Sequence, residues 1–460
     1  EVAIENASIA AEPSPPAAAP GRFTAKNVVL VLIDTLRADH LSAFNAATRV
    51  RTPFLDEFAK ECMVFERAMP QENWTKPSIA SLLTGLYAAS HQTKGESNRL
   101  PASATMVSEH LRSLGFETAG FVANGYISDK FGFERGWDTW TNYVREGKKN
   151  RAQFVAQDVI SWLNRRREGK PFFLYVHTID PHVPYQPPTS YRAMYDDEPY
   201  DGIVEGGKTA QLLEQVKTGA VRLSERDRFR LEALYDGEIS YHDDHLALIA
   251  GELRKLGLLE DTLIIITSDH GEEFFDHGDV GHGHTLYEEL LHVPLLVRLP
   301  GAAPQGQPVR DGREAELVDV LPTICDSLQV ACPPAVQGRS LGARLTGQGE
   351  VVWPAAARSE FMDGQLALRT TRYKLIYRGL RTTLFDLRDD PQETADLSDA
   401  RPVALSALRD MLGAHMGRFA AAGASKGAQP APLVHRREEA TIDPETRKQL
   451  EELGYMGEKK

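Results

Sequence analysis

The sequence predicts an α/β fold: a mostly parallel sheet flanked by helices, followed by a smaller C-terminal domain with a short antiparallel sheet and a helix. Three observations predict it. Four apolar, strand-length runs rich in β-branched residues lie between Val28 and Val297. Helical spacing fills the intervals between them, and alternation of strands with helices means a parallel sheet covered on both faces. After Leu341 the pattern changes to short strand-like pieces separated by turns.

In chain order, Val28-Val29-Leu30-Val31-Leu32-Ile33 is continuously apolar and ends in Asp34, as expected of a strand buried on both faces. The second run is Pro171-Phe172-Phe173-Leu174-Tyr175-Val176, followed by His177 and Asp180. The third, Thr262-Leu263-Ile264-Ile265-Ile266-Thr267, is followed by Asp269 and His270, and the fourth is Val293–Val297. Helices are expected over Pro53–Ala59, Ser78–Leu83, Met106–Leu114, Gln153–Arg166 and Glu225–Leu256. Three strands thus deliver acidic or imidazole groups to one edge of the sheet, where open α/β sheets place their ligands. Further on, Leu366–Thr371, Tyr373–Tyr377 and Thr383–Asp386 read as an antiparallel meander, Pro402–Ala420 as a helix, and Pro444–Leu453 as a short final helix.

Four segments are expected: an Ala/Pro-rich linker (1–24), an α/β catalytic domain (25–345), a smaller α+β subdomain (346–420) and a C-terminal extension (421–460). The linker and the initial Glu1 suggest a signal peptide or lipid anchor upstream, hence an extracytoplasmic protein. The 460 residues carry 52 Lys+Arg and 65 Asp+Glu, a net charge of −13, which argues against nucleic acid as a partner. It leaves room for a small anionic ester, since a bound cation reverses the local sign. No apolar run reaches the ~20 residues of a membrane span. Three cysteines, Cys62, Cys325 and Cys332, are too few for a disulfide framework.

Three sequence elements carry chemistry. Ser268-Asp269-His270-Gly271-Glu272-Glu273, with His277, His282 and His284 just after it, gathers four of the chain's 14 histidines beside a buried strand. Imidazoles with carboxylates suit a Zn²⁺- or Mn²⁺-class cation. Asp34 ends an apolar strand and must be paired, capped or metal-bound, because unpaired burial is costly. Arg37 offers an internal partner to Asp34 or Asp39, and Asp39 is expected to be structural. In Thr75-Lys76-Pro77-Ser78, Pro77 suits a first helical turn and Thr75 can serve as its N-cap. The same hydroxyl at a helix N-terminus, activated by a cation, is a candidate nucleophile, with Lys76 steadying the anion.

These segments resemble the sulfatase branch of the alkaline phosphatase superfamily. The resemblance rests on Asp34–Asp39, Thr75–Ser78 with Ser81–Gly85, Asp180–Tyr185, Thr267–Glu272, Gly281–Gly283, Leu286–Glu289, Asp319 with Pro322-Thr323, Leu384–Leu387 with Asp390-Pro391, and Leu453-Gly454-Tyr455. It implies an alkaline-phosphatase-like catalytic sheet, with a divalent metal (Mn, Zn or Ca, one ion or two) on Asp34, Thr75, Asp269 and His270. It also implies an anion contact at His182 and catalytic roles for Thr75, His182 and His282 or His284. A second metal at Asp180, His182 and His284 is the alternative use of those histidines, and His177 and His277 are expected to orient ligands. Sulfatases carry Cys or Ser, converted to formylglycine, in a pattern C/S-x-P-x-R. Here Thr75-Lys76-Pro77-Ser78-Ile79 lacks both the convertible residue and the arginine. No formylglycine is therefore expected, and phosphoester cleavage through a Thr75 intermediate is favoured. A sulfatase without formylglycine, a phosphotransferase or a non-catalytic anion binder stand as alternatives.

Overall fold

The computed structural model describes residues 24–302, 304, 306–347, 356–362, 364–421 and 434–455. Residues 1–23 of the expected linker, and most of the Gly/Pro-containing loop around Gly423–Pro432, lie outside the described residues.

Eight strands build the main sheet: β1 (Asn27–Ile33), β2 (Met63–Met69), β3 (Glu117–Val122), β4 (Thr139–Asn142), β5 (Phe172–Thr178), β6 (Thr262–Thr267), β7 (Leu295–Arg298) and β8 (Val309–Glu316). Their order across the sheet is β8-β2-β7-β6-β1-β5-β3-β4. Only β7 runs antiparallel to its neighbours. The expected architecture is therefore present, with four more strands than the apolar runs announced. The reason is chemical. β2 and β8 carry Glu66, Arg67, Arg310 and Asp311, β3 is interrupted by Glu117, Thr118 and Gly120, and β4 is a short edge strand, so none reads as a continuous apolar run.

The three central strands are buried along their whole length. Pleating sends alternate residues to opposite faces. Val28, Leu30 and Leu32 join Ile79, Leu82 and Leu83 of the helix Thr75–Thr84 in one core cluster, together with Leu450, Leu453 and Tyr455 from the far end of the chain. Val29, Val31 and Ile33 face the helices Ala152–Arg165 and Glu225–Lys255 in the other. The smaller sheet is a four-stranded meander, β9 (Ala357–Phe361), β10 (Gln365–Arg369), β11 (Tyr373–Arg378) and β12 (Arg381–Asp386). The helix Pro402–Ala421 packs on it through Leu408 and Leu412. No helix among the described residues is long and apolar enough to cross a membrane.

Two buried histidines away from the strand ends give the fold a pH signature. His91 accepts from the Thr93 N–H at Nδ1 (3.0 Å) and meets Ser81 Oγ at Nε2 (3.0 Å). His242 meets Thr178 Oγ1 (2.8 Å). Burial pushes their pKa values down to about 3 and about 4; Lys94 and His435 add to the effect at His91, while Asp180 opposes it at His242. The unfolded chain therefore binds protons that the folded chain refuses. Their contribution to stability is complete above the ordinary imidazole pKa and is lost as pH falls from about 6.5 towards 4. Replacing His91 by Gln should flatten the decline of denaturation midpoint over that window. A variant slope equal to that of the wild type would contradict this account.

Candidate active site at the strand ends

Adjacent β1, β5 and β6 bring Asp34, His177 and Asp269 together. Among the described residues, their ligand atoms form a buried group within 4.8 Å of one another. Asp34 Oδ2 accepts from Asn124 Nδ2 (2.8 Å) and lies 3.1 Å from His177 Nε2. Asp269 Oδ1 accepts from the N–H groups of Thr35 (3.3 Å) and His270 (3.1 Å). The second oxygens, Asp34 Oδ1 and Asp269 Oδ2, are buried without a hydrogen bond. Burial raises the pKa of both acids, that of Asp269 to about 6, and Asp34 repels the Asp269 charge further. The turn leading out of β1 is strained: Thr35, β-branched, sits at φ 58°. Tyr235 fastens it by donating to Thr35 O (2.7 Å) and accepting from Arg37 N (3.0 Å).

His270 completes the cluster. Its Nδ1 is 2.9 Å from Gly271 O, and since a carbonyl only accepts, Nδ1 carries the proton. Nε2 is left as a lone pair, 3.2 Å from Thr75 Oγ1, 3.4 Å from Asp269 Oδ2 and 3.9 Å from Asp34 Oδ1. Gly271 is required here, because a Cβ would lie 1.9 Å from Glu289 O. Two orphaned carboxylate oxygens, an imidazole lone pair and a hydroxyl facing one point fit a divalent cation. The four expected metal-binding residues are thus brought together.

Thr75 is the first residue of its helix, not its N-cap, which is Trp74 and makes no side-chain cap. Its hydroxyl instead meets His270 and, at 3.3 Å, the Tyr455 hydroxyl. Ser78 Oγ ties the same helix to Asp269 O (2.7 Å). Lys76 is directed elsewhere. Its ammonium donates to Glu96 O and lies 4.2 Å from the Phe131 ring centroid and 4.8 Å from that of Tyr126. Burial holds its pKa well below the ordinary lysine value, which, with the Glu96 contact, weakens the case for the anion contact expected of Lys76.

The histidines divide sharply. His282 stacks near His270 (ring centroids 4.4 Å) and His182 (5.0 Å), while its Nδ1 bonds Glu272 Oε1 at 2.9 Å. Glu272 Oε2 accepts from Tyr185 OH (2.8 Å). His182 Nδ1 meets Val183 O at 2.6 Å, leaving Nε2 buried without a partner. His284 is drawn away by Glu273 (2.8 Å), a bond that raises its pKa against the opposing effect of burial. Asp180 caps Ala152 N (2.6 Å) and faces Arg151 (3.4 Å). Asp180, His182 and His284 therefore do not converge, and the second metal site is not assembled. Arg37 pairs with Asp39 (2.8 Å) and Asp276 (2.9 Å), so Asp39 is structural as expected. His277 bonds Glu289 at 2.7 Å and stacks on Tyr287.

Asn124, Glu272, Tyr185 and Tyr455 escaped the sequence reading of the site. Asn124 follows β3 as Asp34 follows β1, and recognising that strand would have found it. Tyr455 is 380 positions from Thr75, and the Leu453-Gly454-Tyr455 segment, though part of the family resemblance, carries no sign of a place at the site.

A family model described as Sulfatase matches residues 26–330, and one described as N-sulphoglucosamine sulphohydrolase, C-terminal, matches residues 276–416. The chain is similar to the multifunctional alkaline phosphatase superfamily protein PehA of Trinickia caryophylli, 26% identical over 84% of this chain and 94% of that one. It is also similar to an arylsulfatase of Clostridium perfringens, 25% identical over 81% of this chain and 90% of that one. Phosphonate monoester hydrolase of Agrobacterium radiobacter shares the fold, with a TM-score of 0.71 and 23% identity over 89% of this chain and 99% of that one.

Proposed function

The chain belongs to the sulfatase family, and from that premise we propose that it is a metal-dependent hydrolase of small anionic esters, cleaving phosphate diesters or phosphonate monoesters through Thr75. The observation that carries this reading is the Thr75 hydroxyl, buried and 3.2 Å from His270 Nε2 beside two orphaned carboxylate oxygens. A threonine cannot become formylglycine, and phosphorus is readily attacked twice, first by an alkoxide and then by water.

Asp34, Asp269 and His270, with Thr75, would hold the cation, Mn²⁺, Zn²⁺ or Ca²⁺, which when bound supplies the positive charge that lets the hydroxyl give up its proton. The Thr75 oxygen attacks phosphorus as the bond to the leaving oxygen breaks. The proton that Thr75 gives up passes to His282 Nε2, a lone pair while Nδ1 meets Glu272, and from there to the leaving oxygen, with Glu272 balancing the transient imidazolium. The neutral imidazole then takes a proton from water, whose oxygen displaces Thr75, and passes that proton to the departing Thr75 oxygen, which restores both groups. His182 Nε2 is the free polar atom beside His282 for contact with the ester's non-bridging oxygens.

One observation favours a second reading. The match of residues 276–416 to a sulphohydrolase C-terminal model, with arylsulfatases among the relatives, points to sulfate esters cleaved without formylglycine. A nitrophenyl sulfate, a phosphate monoester, a diester and a phosphonate monoester, each assayed with Mn²⁺, Zn²⁺ or Ca²⁺, separate the two. Turnover of the diester or the phosphonate is expected. Sulfate release alone would overturn the phosphorus reading.

A further inference from the structure

The C-terminal end of the chain reaches the reacting oxygen. Asp443 begins the approach, accepting from Thr446 N (2.8 Å) at the start of the helix Pro444–Glu452 and pairing with Lys130 (2.6 Å). Arg145 holds the next turn through Thr446 Oγ1 (3.0 Å) and Gln449 Oε1 (2.8 Å). Leu450 and Leu453 enter the main core. Gly454, at φ +81° and with its Cβ position 3.2 Å from Val183, turns the chain inward. The Tyr455 ring then lodges between Tyr126 (centroids 4.8 Å) and His182 (4.9 Å).

The direction of its hydrogen bonds follows from the donors. Asn124 Oδ1 accepts from Tyr126 N (2.8 Å), which fixes the amide so that Nδ2 donates to Asp34 Oδ2 (2.8 Å) and to the Tyr455 oxygen (2.9 Å). The phenol oxygen is thus an acceptor from Asn124, and its own hydrogen is free for Thr75 Oγ1 at 3.3 Å. Thr75 in turn faces the lone pair on His270 Nε2. The chain of donors runs one way, from Asn124 to Tyr455 to Thr75.

We propose that Tyr455 is a catalytic residue: its hydroxyl donates a hydrogen bond to the Thr75 oxygen as that oxygen leaves phosphorus in the second half of the reaction. This rests on Thr75 being the nucleophile. In that step a water oxygen forms a bond to phosphorus, giving one proton to the neutral His282, and the phosphorus–Oγ bond breaks. The electron pair settles on Oγ, where the Tyr455 O–H stabilises it; the phenol keeps its proton throughout. A hydroxyl that holds a departing alkoxide speeds breakdown of the phosphoenzyme and contributes little to binding the ester.

Tyr455→Phe in the full-length protein keeps the ring and its packing and removes only the donor. With bis(4-nitrophenyl) phosphate, the variant should retain its pre-steady-state burst. Its steady-state rate should fall about 10- to 100-fold, the usual loss for a hydrogen bond to a charged group, and phosphorylated Thr75 should accumulate. A fluorotyrosine at position 455, a stronger donor of the same shape, should accelerate breakdown. Unchanged burst and steady-state rates in Tyr455→Phe would overturn the role of Tyr455 while leaving Thr75 as nucleophile. Equal loss of burst and steady state, with a lowered melting temperature and no effect of the fluorotyrosine, would make Tyr455 structural and also overturn it. Absence of any phosphoenzyme in the wild type would instead remove the premise.

Discussion

Thr75→Ala is expected to reduce ester turnover by at least about 10³-fold, the scale on which loss of a covalent nucleophile is felt. The hydroxyl is buried and lies at the meeting point of His270 and Tyr455, so no exposed group stands ready to replace it. The change removes one hydroxyl and one methyl, and the helix Thr75–Thr84 remains anchored through Ser78 to Asp269 O. Folding should survive, with thermal midpoint and cation binding largely retained. In the wild type, acid quench during turnover followed by peptide mass spectrometry should place a phosphoryl group on Thr75, and in Thr75→Ala on no residue. Thr75→Ser keeps the hydroxyl and should keep the tag. Wild-type rates in the alanine variant, or a tag elsewhere, would refute Thr75 as nucleophile.

Asp269→Asn carries the second large effect. Asp34 and Asp269 are both buried, each with one oxygen that makes no hydrogen bond, and burial raises both pKa values, with added repulsion from Glu272 at Asp34 and from Asp34 at Asp269. A divalent cation resolves that conflict, so folding and cation binding are linked. A cation at 100 times its dissociation constant should stabilise the wild type by about 2.7 kcal/mol. Asparagine is nearly isosteric and its Oδ1 can still accept from Thr35 N and His270 N. The variant should fold, lose the thermal shift on adding Mn²⁺ or Zn²⁺, contain little metal, and turn over ester at least about 10²-fold more slowly. A full thermal shift and stoichiometric metal in Asp269→Asn would place the cation elsewhere.

Much of this site was legible before the fold was known, for a local reason. Asp34, Asp269 and His270 each follow a fully buried strand, and the end of such a strand is where a parallel sheet presents polar groups. Thr75 was legible through Pro77 and the helix it opens. The side chains that point elsewhere share a cause. Lys76 is expected at the anion from its place beside Thr75, and Asp180 and His284 at a second metal from the family resemblance, but side-chain direction depends on partners that neither reading contains. Phe131 and Glu96 hold Lys76, Ala152 and Arg151 hold Asp180, and Glu273 holds His284.

The α/β architecture, the strand ends that carry the acids, and a threonine that cannot become formylglycine are all readable from the residues, because hydrophobic periodicity and residue chemistry are local properties. Tertiary contacts alone set which loop histidine lies beside His270, because Glu272 holds His282 there while Glu273 holds His284. They alone also join Asn124 and Tyr455 to the nucleophile. Those contacts span 331 and 380 positions and form only when the C-terminal helix packs into the core of the main sheet.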